Sequence, residues 1–214
     1  MRLVLFLLAS LLAAGPAAAL SFQLVPLDDG RCGYSGSCPS VVRASGQILS
    51  DDVERFEAFL AGVPESRNVT RTLVIQSPGG HMLAGIKLGI VLRALKFHVI
   101  PGTVGGGEIR RGVCGSACVF VLMGGAQRSV PPGSVVAVHQ PKLVSTAQLG
   151  ADIPIEMTSQ DLRQVTRGLS QYSTLMGIDP ALITLMMQVP PTSRRVLTTS
   201  EIRRFRLTNS GPRS

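Results

Sequence analysis

The stretch Leu73-Val-Ile-Gln-Ser-Pro-Gly-Gly80 decides how the rest of the chain is read. Three consecutive apolar residues with β-branched members fit a strand buried on both faces, here at residues 72–75. Ser77-Pro78-Gly79-Gly80 then turns the chain, and the apolar-rich segment 82–95 that follows fits a helix. The pattern recurs downstream. A strand is expected at 97–100, a loop at Gly105-Gly106-Gly107, a short apolar helix at 116–123 and a strand at 135–138 that ends on His139. From Thr158 the set Leu162, Val165, Leu169, Tyr172 and Met176 recurs at helical spacing, and Asp179-Pro180 opens another helix. Upstream, residues 40–44 alternate as a short strand where the structured core is expected to begin. Asp51 with Glu54 resembles a capping box ahead of Val53, Phe56, Leu60 and Val63. Strands alternating with helices predict an α/β domain.

The two ends read differently. Met1-Arg2, an apolar run from Leu3 to Ala14, then Pro16 and Ala17-Ala18-Ala19 make a secretory signal with cleavage before Leu20. An anchoring helix is the rival, but a bilayer needs about 18 or more apolar residues and Pro16 interrupts this run. The expected organisation is therefore a signal peptide at 1–19, a Gly-, Ser- and Cys-rich lead-in at 20–39, one α/β domain at 40–208 and a basic tail at 209–214. About 195 residues remain after cleavage, enough for one domain with a sizeable core. They contain no further apolar run of spanning length. The expected location is outside the cytoplasm, in a periplasm or the extracellular space.

Net charge is +8 for the full chain and +7 once Arg2 leaves with the signal. The chain has no Trp and two Tyr, and its basic residues, clustered only at Arg203, Arg204, Arg206 and Arg213, have a single interleaved aromatic, Phe205. That does not support a stacking surface for single-stranded nucleic acid. Four cysteines remain in the mature chain. Cys32 and Cys38 flank a turn-rich stretch and are the expected disulfide. Cys114 and Cys118, four apart around Ser116, are expected as small buried residues, since side chains at that spacing on a regular helix do not face each other for a bridge. No histidine lies near either pair, so no metal site is expected.

Two strand-to-helix turns carry the chemistry. Each presents free N–H groups at a helix start, where partial positive charge favours an anion. If Ser77-Pro78-Gly79-Gly80 and Gly115-Ser116-Ala117 face one another, the N–H groups of Gly80 and Ala117 hold one developing oxyanion, with the Ser116 hydroxyl beside them. Glycine at 79 and 80 lets a substrate backbone approach closely. Taken singly the features are ordinary: a helix-start serine is commonly an N-cap and a strand-end histidine commonly structural.

Together, Leu73-Val-Ile-Gln-Ser-Pro-Gly-Gly80, Gly115-Ser-Ala117 leading to Gly124-Gly-Ala126, and Pro131-Pro-Gly-Ser-Val-Val-Ala-Val-His-Gln-Pro141 resemble the Clp protease proteolytic subunit. Gly46-Gln47-Ile48 also fits that family's first core strand, and the similarity runs from about Val41 to Leu207. The resemblance implies a ClpP/crotonase-like spiral of repeated strand-strand-helix units, and assembly into a trimer or larger ring. By position it implies Ser116 as nucleophile, His139 as its base, and an oxyanion hole at the N–H groups of Gly80 and Ala117. A polypeptide substrate or peptide ligand follows, with no cofactor. The runner-up is a catalytically inactive scaffold that binds peptides in the same groove.

The departures are specific. Cysteines flank Ser116 where the family carries small residues, and the family's third triad member, an aspartate, falls at about Arg194, with Ser193 beside it. Asp152, in the loop after His-Gln-Pro, is the possible substitute; Asp161 and Asp179 read as helix caps. His81, at a helix start, is expected to have a surface or capping role, His98 to be a satisfied core histidine, and Lys142 to be exposed.

Overall fold

The computed structural model describes residues 18–28, 38–65, 67–142, 144–145, 153–154 and 158–210. In chain order the elements are β1 (Ser21–Pro26), β2 (Ser40–Ser45), α1 (Asp52–Ala61), β3 (Val69–Gln76), α2 (Met82–Ala94), β4 (His98–Gly105), β5 (Glu108–Arg111) and β6 (Val113–Gly115). There follow α3 (Ala117–Gly124), β7 (Gln127–Arg128), β8 (Val135–Val138), β9 (Val144–Ser145), β10 (Ile153–Pro154), α4 (Ser159–Leu175), α5 (Ala181–Met187), β11 (Arg195–Val196) and α6 (Thr199–Arg204). The main sheet runs β1-β2-β3-β4-β5, with β7 also on β4; β2, β3, β4 and β7 are parallel, and β1 and β5 close its edges antiparallel. A second sheet, β11-β8-β6, pairs β6 and β8 in parallel. A bridge from Ser77 to Cys114 joins the end of β3 to β6 and so joins the two sheets.

This is the expected α/β succession of strands and helices. Val41, Val42, Leu73, Val74, Ile75, Val99 and Ile100 are buried on the parallel strands, as strands covered on both faces require. All eight residues of α3 are buried, which suits a helix that is apolar all round. It lies against α2 so closely that a Cβ on Gly89 would meet the Phe120 carbonyl oxygen at 2.7 Å. The amphipathic α4 keeps its expected stripe: Leu169, Tyr172 and Met176 are buried.

The structured part begins earlier than residue 40. Leu20 is fully buried, β1 pairs along the whole of β2, and Phe22 stacks at 5.2 Å on Phe56 of α1. The Phe22 and Leu24 alternation is short, yet it supplies the apolar face that an edge strand needs. Nor does the box at Asp51 and Glu54 form. The Asp51 side chain makes no cap; instead the buried Asp52 carboxylate accepts from Leu49 N at 2.7 Å and pairs with Arg55. Burial pushes the Asp52 carboxyl above its ordinary range, opposed by those two partners. The Gly46-Gln47-Ile48 stretch continues β2 through single bridges, Gln47 to Ala19 and Ile48 to Gly80.

Candidate active site

Ser116 sits where β6 ends and α3 begins, with φ 53 and ψ −120. A non-glycine residue at positive φ is held there by its surroundings. The restraints are visible on both sides. Gly115 N donates to Ser77 O at 3.0 Å, Ser116 N to Ala137 O at 2.9 Å, and Val119 N to Ser116 O at 3.0 Å. Although Ser116 occupies the cap position of α3, its hydroxyl makes no cap, and among the described residues no hydrogen bond reaches it. The side chain is half-buried and available for chemistry.

The facing turn is shaped by Ser77, fully buried, whose Oγ accepts from Gly79 N at 3.2 Å. Gly79 and Gly80 follow at φ 114 and 140, conformations that L side chains rarely adopt. Space makes the same demand. A Cβ at Gly79 would stand 2.6 Å from the Ser116 Cβ and 3.2 Å from Ala117 N, and a Cβ at Gly80 would stand 2.1 Å from the Ile48 carbonyl oxygen. Gly79 thus packs directly on the serine turn. The neighbours of Gly80 are used by the Ile48 strand: Ile48 N donates to Gly79 O and His81 N to Ile48 O, both at 2.8 Å. Among the described residues the N–H groups of Gly80 and Ala117 themselves donate to nothing. Two free donors flank the serine turn, the arrangement an oxyanion requires.

His139 follows β8, the strand parallel to β6, in the register Gly115 opposite Ala137. Serine and histidine therefore leave the same ends of adjacent strands. The His139 Nδ1 lies 2.7 Å from the Gln140 carbonyl oxygen. A carbonyl can only accept, so Nδ1 carries the proton and Nε2 is left as an acceptor. No hydrogen bond joins His139 to Ser116 among the described residues.

The Clp protease family model matches residues 47–187, well over half of the chain. The chain belongs to the Clp protease family. No curated protein matches the sequence. Among solved structures, a mutant of the 1510-N membrane-bound stomatin-specific protease is similar with a TM-score of 0.51 at 16% identity, over 78% of this chain and 75% of that one. A second mutant of that protease, in complex with a substrate peptide, gives a TM-score of 0.51 at 19% identity, over 78% of this chain and 71% of that one. At these identities the likeness concerns the fold, which is ClpP-like.

Within the Clp protease fold one expectation is overturned. Cys114 and Cys118 form a disulfide, with their Cα atoms 5.2 Å apart. The objection to a bridge assumed that both lie on one helix. Cys114 instead belongs to β6, and the turn at Ser116 brings the first turn of α3 back over it. Cys38 is also disulfide-bonded, whereas Cys32, its expected partner, lies outside the described residues.

Position 194, where the resemblance sets the family's aspartate, carries an arginine. β11 pairs antiparallel with β8, Arg195 opposite Val138, and extending that register by one residue would set Arg194 across from His139. Arg194 is exposed, while Arg195 pairs with Glu201. Asp152 lies outside the described residues. Asp161 completes a capping box with Thr158, whose hydrogen bonds hold its carboxyl below the usual range, and Asp179 accepts from Ala181 N at 2.9 Å. His81 caps α2 by accepting from Ala84 N, His98 Nε2 meets Ser129 Oγ at 2.9 Å, and Lys142 is exposed.

Sequence reasoning missed the groups that fix the far end of α3. Arg93 donates to the carbonyls of Gly124 and Met123, Arg128 to Gly125 O, and Tyr172 to Phe120 O. These cations suit the negative end of the helix whose other end carries Ser116. Burial lowers the Arg128 guanidinium to about 10, helped by Arg93 and Arg206, and raises the Tyr172 phenol. Arg93 inside the apolar run of α2 was the one local signal; Arg128 and Tyr172 stand between polar neighbours.

Proposed function

We propose that this chain is an exported serine peptidase-like hydrolase acting on polypeptides, with Ser116 as nucleophile, His139 as base and the N–H groups of Gly80 and Ala117 as oxyanion hole. The observation that carries the reading is the strained turn at Ser116, packed on Gly79 between two free N–H donors. In this reading Ser116 Oγ attacks the substrate carbonyl and its proton passes to His139 Nε2. The oxyanion is held by the two backbone donors, and the protonated imidazole then delivers the proton to the leaving amine. The Gln140 carbonyl keeps Nδ1 protonated, the orienting part of what a carboxylate supplies. A neutral carbonyl stabilises an imidazolium less than a carboxylate does, and Arg194 opposes it, so turnover is slow.

Export is supported by the leader-like first 19 residues and by a disulfide inside the fold. No helix among the described residues is long and apolar enough to cross a membrane. Assembly as a trimer or larger ring is part of the proposal. So is peptide binding in the groove. The second reading, an inactive peptide-binding scaffold, is favoured by the absence of a carboxylate beside His139 among the described residues. Labelling of the purified mature protein with a fluorophosphonate separates the two: wild type is labelled and Ser116→Ala is not. A wild type that resists the probe removes the peptidase reading.

A further inference from the structure

Resting on that peptidase reading, we propose that the Cys114–Cys118 disulfide is the positioning device of the nucleophile, so that the site is completed only when the chain folds under oxidising conditions. The bridge runs from the last strand before the turn to the first turn of α3. It encloses Gly115, Ser116 and Ala117, which is to say the nucleophile and one of the two oxyanion donors. Ser116 is held at φ 53, outside the conformations a serine prefers. A return of Ser116 to negative φ would rotate the following peptide and swing the Ala117 N–H off the oxyanion position. With the Cα atoms of Cys114 and Cys118 tied 5.2 Å apart, that relaxation is blocked.

The hydrogen bonds of the turn hold its two sides unequally. Gly115 N and Ser116 N are fastened to Ser77 and Ala137 in the neighbouring strands, whereas the Ser116–Ala117 peptide is held only from within α3, by Val119 N donating to Ser116 O, and Ala117 N is itself unbonded. The sulfur bridge is the covalent tie between the fixed strand and the helix turn that carries the free donor. Both cysteines are 0% exposed, so a dissolved thiol does not reach the bridge in the folded protein. It is set during folding and stays set. Its formation removes two protons and two electrons from the thiols, taken up by a disulfide oxidant that is itself reduced to two thiols. Folded in a reducing compartment, the same chain carries two thiols around Ser116 and its hydrolytic chemistry stays off; the site is completed when the chain folds where an oxidant is present.

The test isolates this bridge in a Cys32→Ala/Cys38→Ala protein. That protein is refolded either with oxidised and reduced glutathione or with dithiothreitol, and the Cys114→Ala/Cys118→Ala variant is refolded alongside. Three quantities are read: the rate of fluorophosphonate labelling, amide exchange at Ala117, and the thermal transition by circular dichroism. Labelling is expected to be at least ten-fold faster for the disulfide form than for the dithiol form or the variant. Ala117 exchange should be at least ten-fold slower in the disulfide form, with β3 amides equally protected in all three. Labelling and exchange within two-fold across the three forms overturn the proposal. Should no form react with the probe, the peptidase reading falls and exchange alone decides the brace. A dithiol form and a variant that both lack a thermal transition overturn it as well, since the bridge would then be needed for folding and not for the turn.

Discussion

Ser116 and His139, the proposed nucleophile and base, follow neighbouring parallel strands, β6 and β8, but the two ends are held in different ways. On the serine side everything is tied down: a disulfide, backbone bonds to both flanking strands, a glycine packed on the serine Cβ, and a fully buried helix capped at its far end by arginines. On the histidine side the strand ends after Val138. One carbonyl orients the imidazole, and the strand across from it is exposed and cationic. Strain at Ser116 is on the order of 1–3 kcal/mol. A disulfide closing so short a loop contributes roughly 2 kcal/mol, enough to offset most of it. The difference teaches that, on the proposed reading, the electrostatic half of the chemistry is the better supported and the proton-transfer half the thinner.

The comparison breaks first at His139. If the base works despite its sparse support, His139→Ala lowers peptide turnover by about 10²–10⁴-fold while phosphonate labelling falls less, since the oxyanion hole persists. Equal turnover by the variant would mean that the histidine side has been abandoned altogether. Next comes the oxyanion turn. Gly80→Ala puts a Cβ on the Ile48 carbonyl at 2.1 Å and must move the N–H. A loss of about 10²–10³ in kcat is expected, the cost of one oxyanion donor, with KM little changed. A variant with normal kcat would remove Gly80 from the site.

How much of this was legible in the sequence follows the same division. Leu73 to Gly80, the run at Ser116 and the strand ending at His139 are local patterns with fixed periodicity, and each stands where it was read. What failed required knowledge of the backbone between elements. Cys114 and Cys118 were judged as helix neighbours, and only the positive φ at Ser116 makes them partners. Leu20 and β1 looked like a lead-in because one short edge strand carries too few residues to reveal its period. Asp51 does stand at the N-cap, but its side chain makes no cap, and Asp52 at the first helical position reaches back to Leu49 N instead. Two-residue strands such as β7 and β11 have no period at all, so the placement of Arg194 across from His139 came from register.

Sharpening the histidine side means giving it back a carboxylate. Arg194→Asp removes the opposing cation and sets an acid across from the imidazole, with about ten-fold faster turnover expected, a small part of the 10⁴ that a triad aspartate supplies. The gain should vanish as the new carboxylate is protonated at low pH. A fall in rate, or a ten-fold loss in Asp152→Asn without any gain in Arg194→Asp, would mean that the third member is supplied from the segment after Pro141.

The smallest effect concerns what supports the histidine side from behind. β11 leads into α6, whose start is fixed by a box in which Thr198 caps Glu201 N and Glu201 accepts from Thr198 N. The backbone hydrogen bond from Thr198, then the Thr198 hydroxyl and the charges of Arg195 and Arg204, hold the Glu201 carboxyl below its ordinary 4.5. A carboxyl lowered by folding binds fewer protons in the native state than in the unfolded one. Its contribution is thus complete above about pH 4.5 and fades as pH falls through the lowered native value. The group lies at the surface and is partly exposed, so solvent screening keeps the contribution small, roughly 0.5 kcal/mol. Glu201→Gln should therefore lower stability by that amount at neutral pH and by progressively less as the pH falls below about 4.5. Amide exchange should localise the neutral-pH loss to β11 and α6, leaving the amides of the serine turn unchanged. Equal loosening of both sides would mean that the two strands form one cooperative unit, and that the rigidity of the serine side extends to its base.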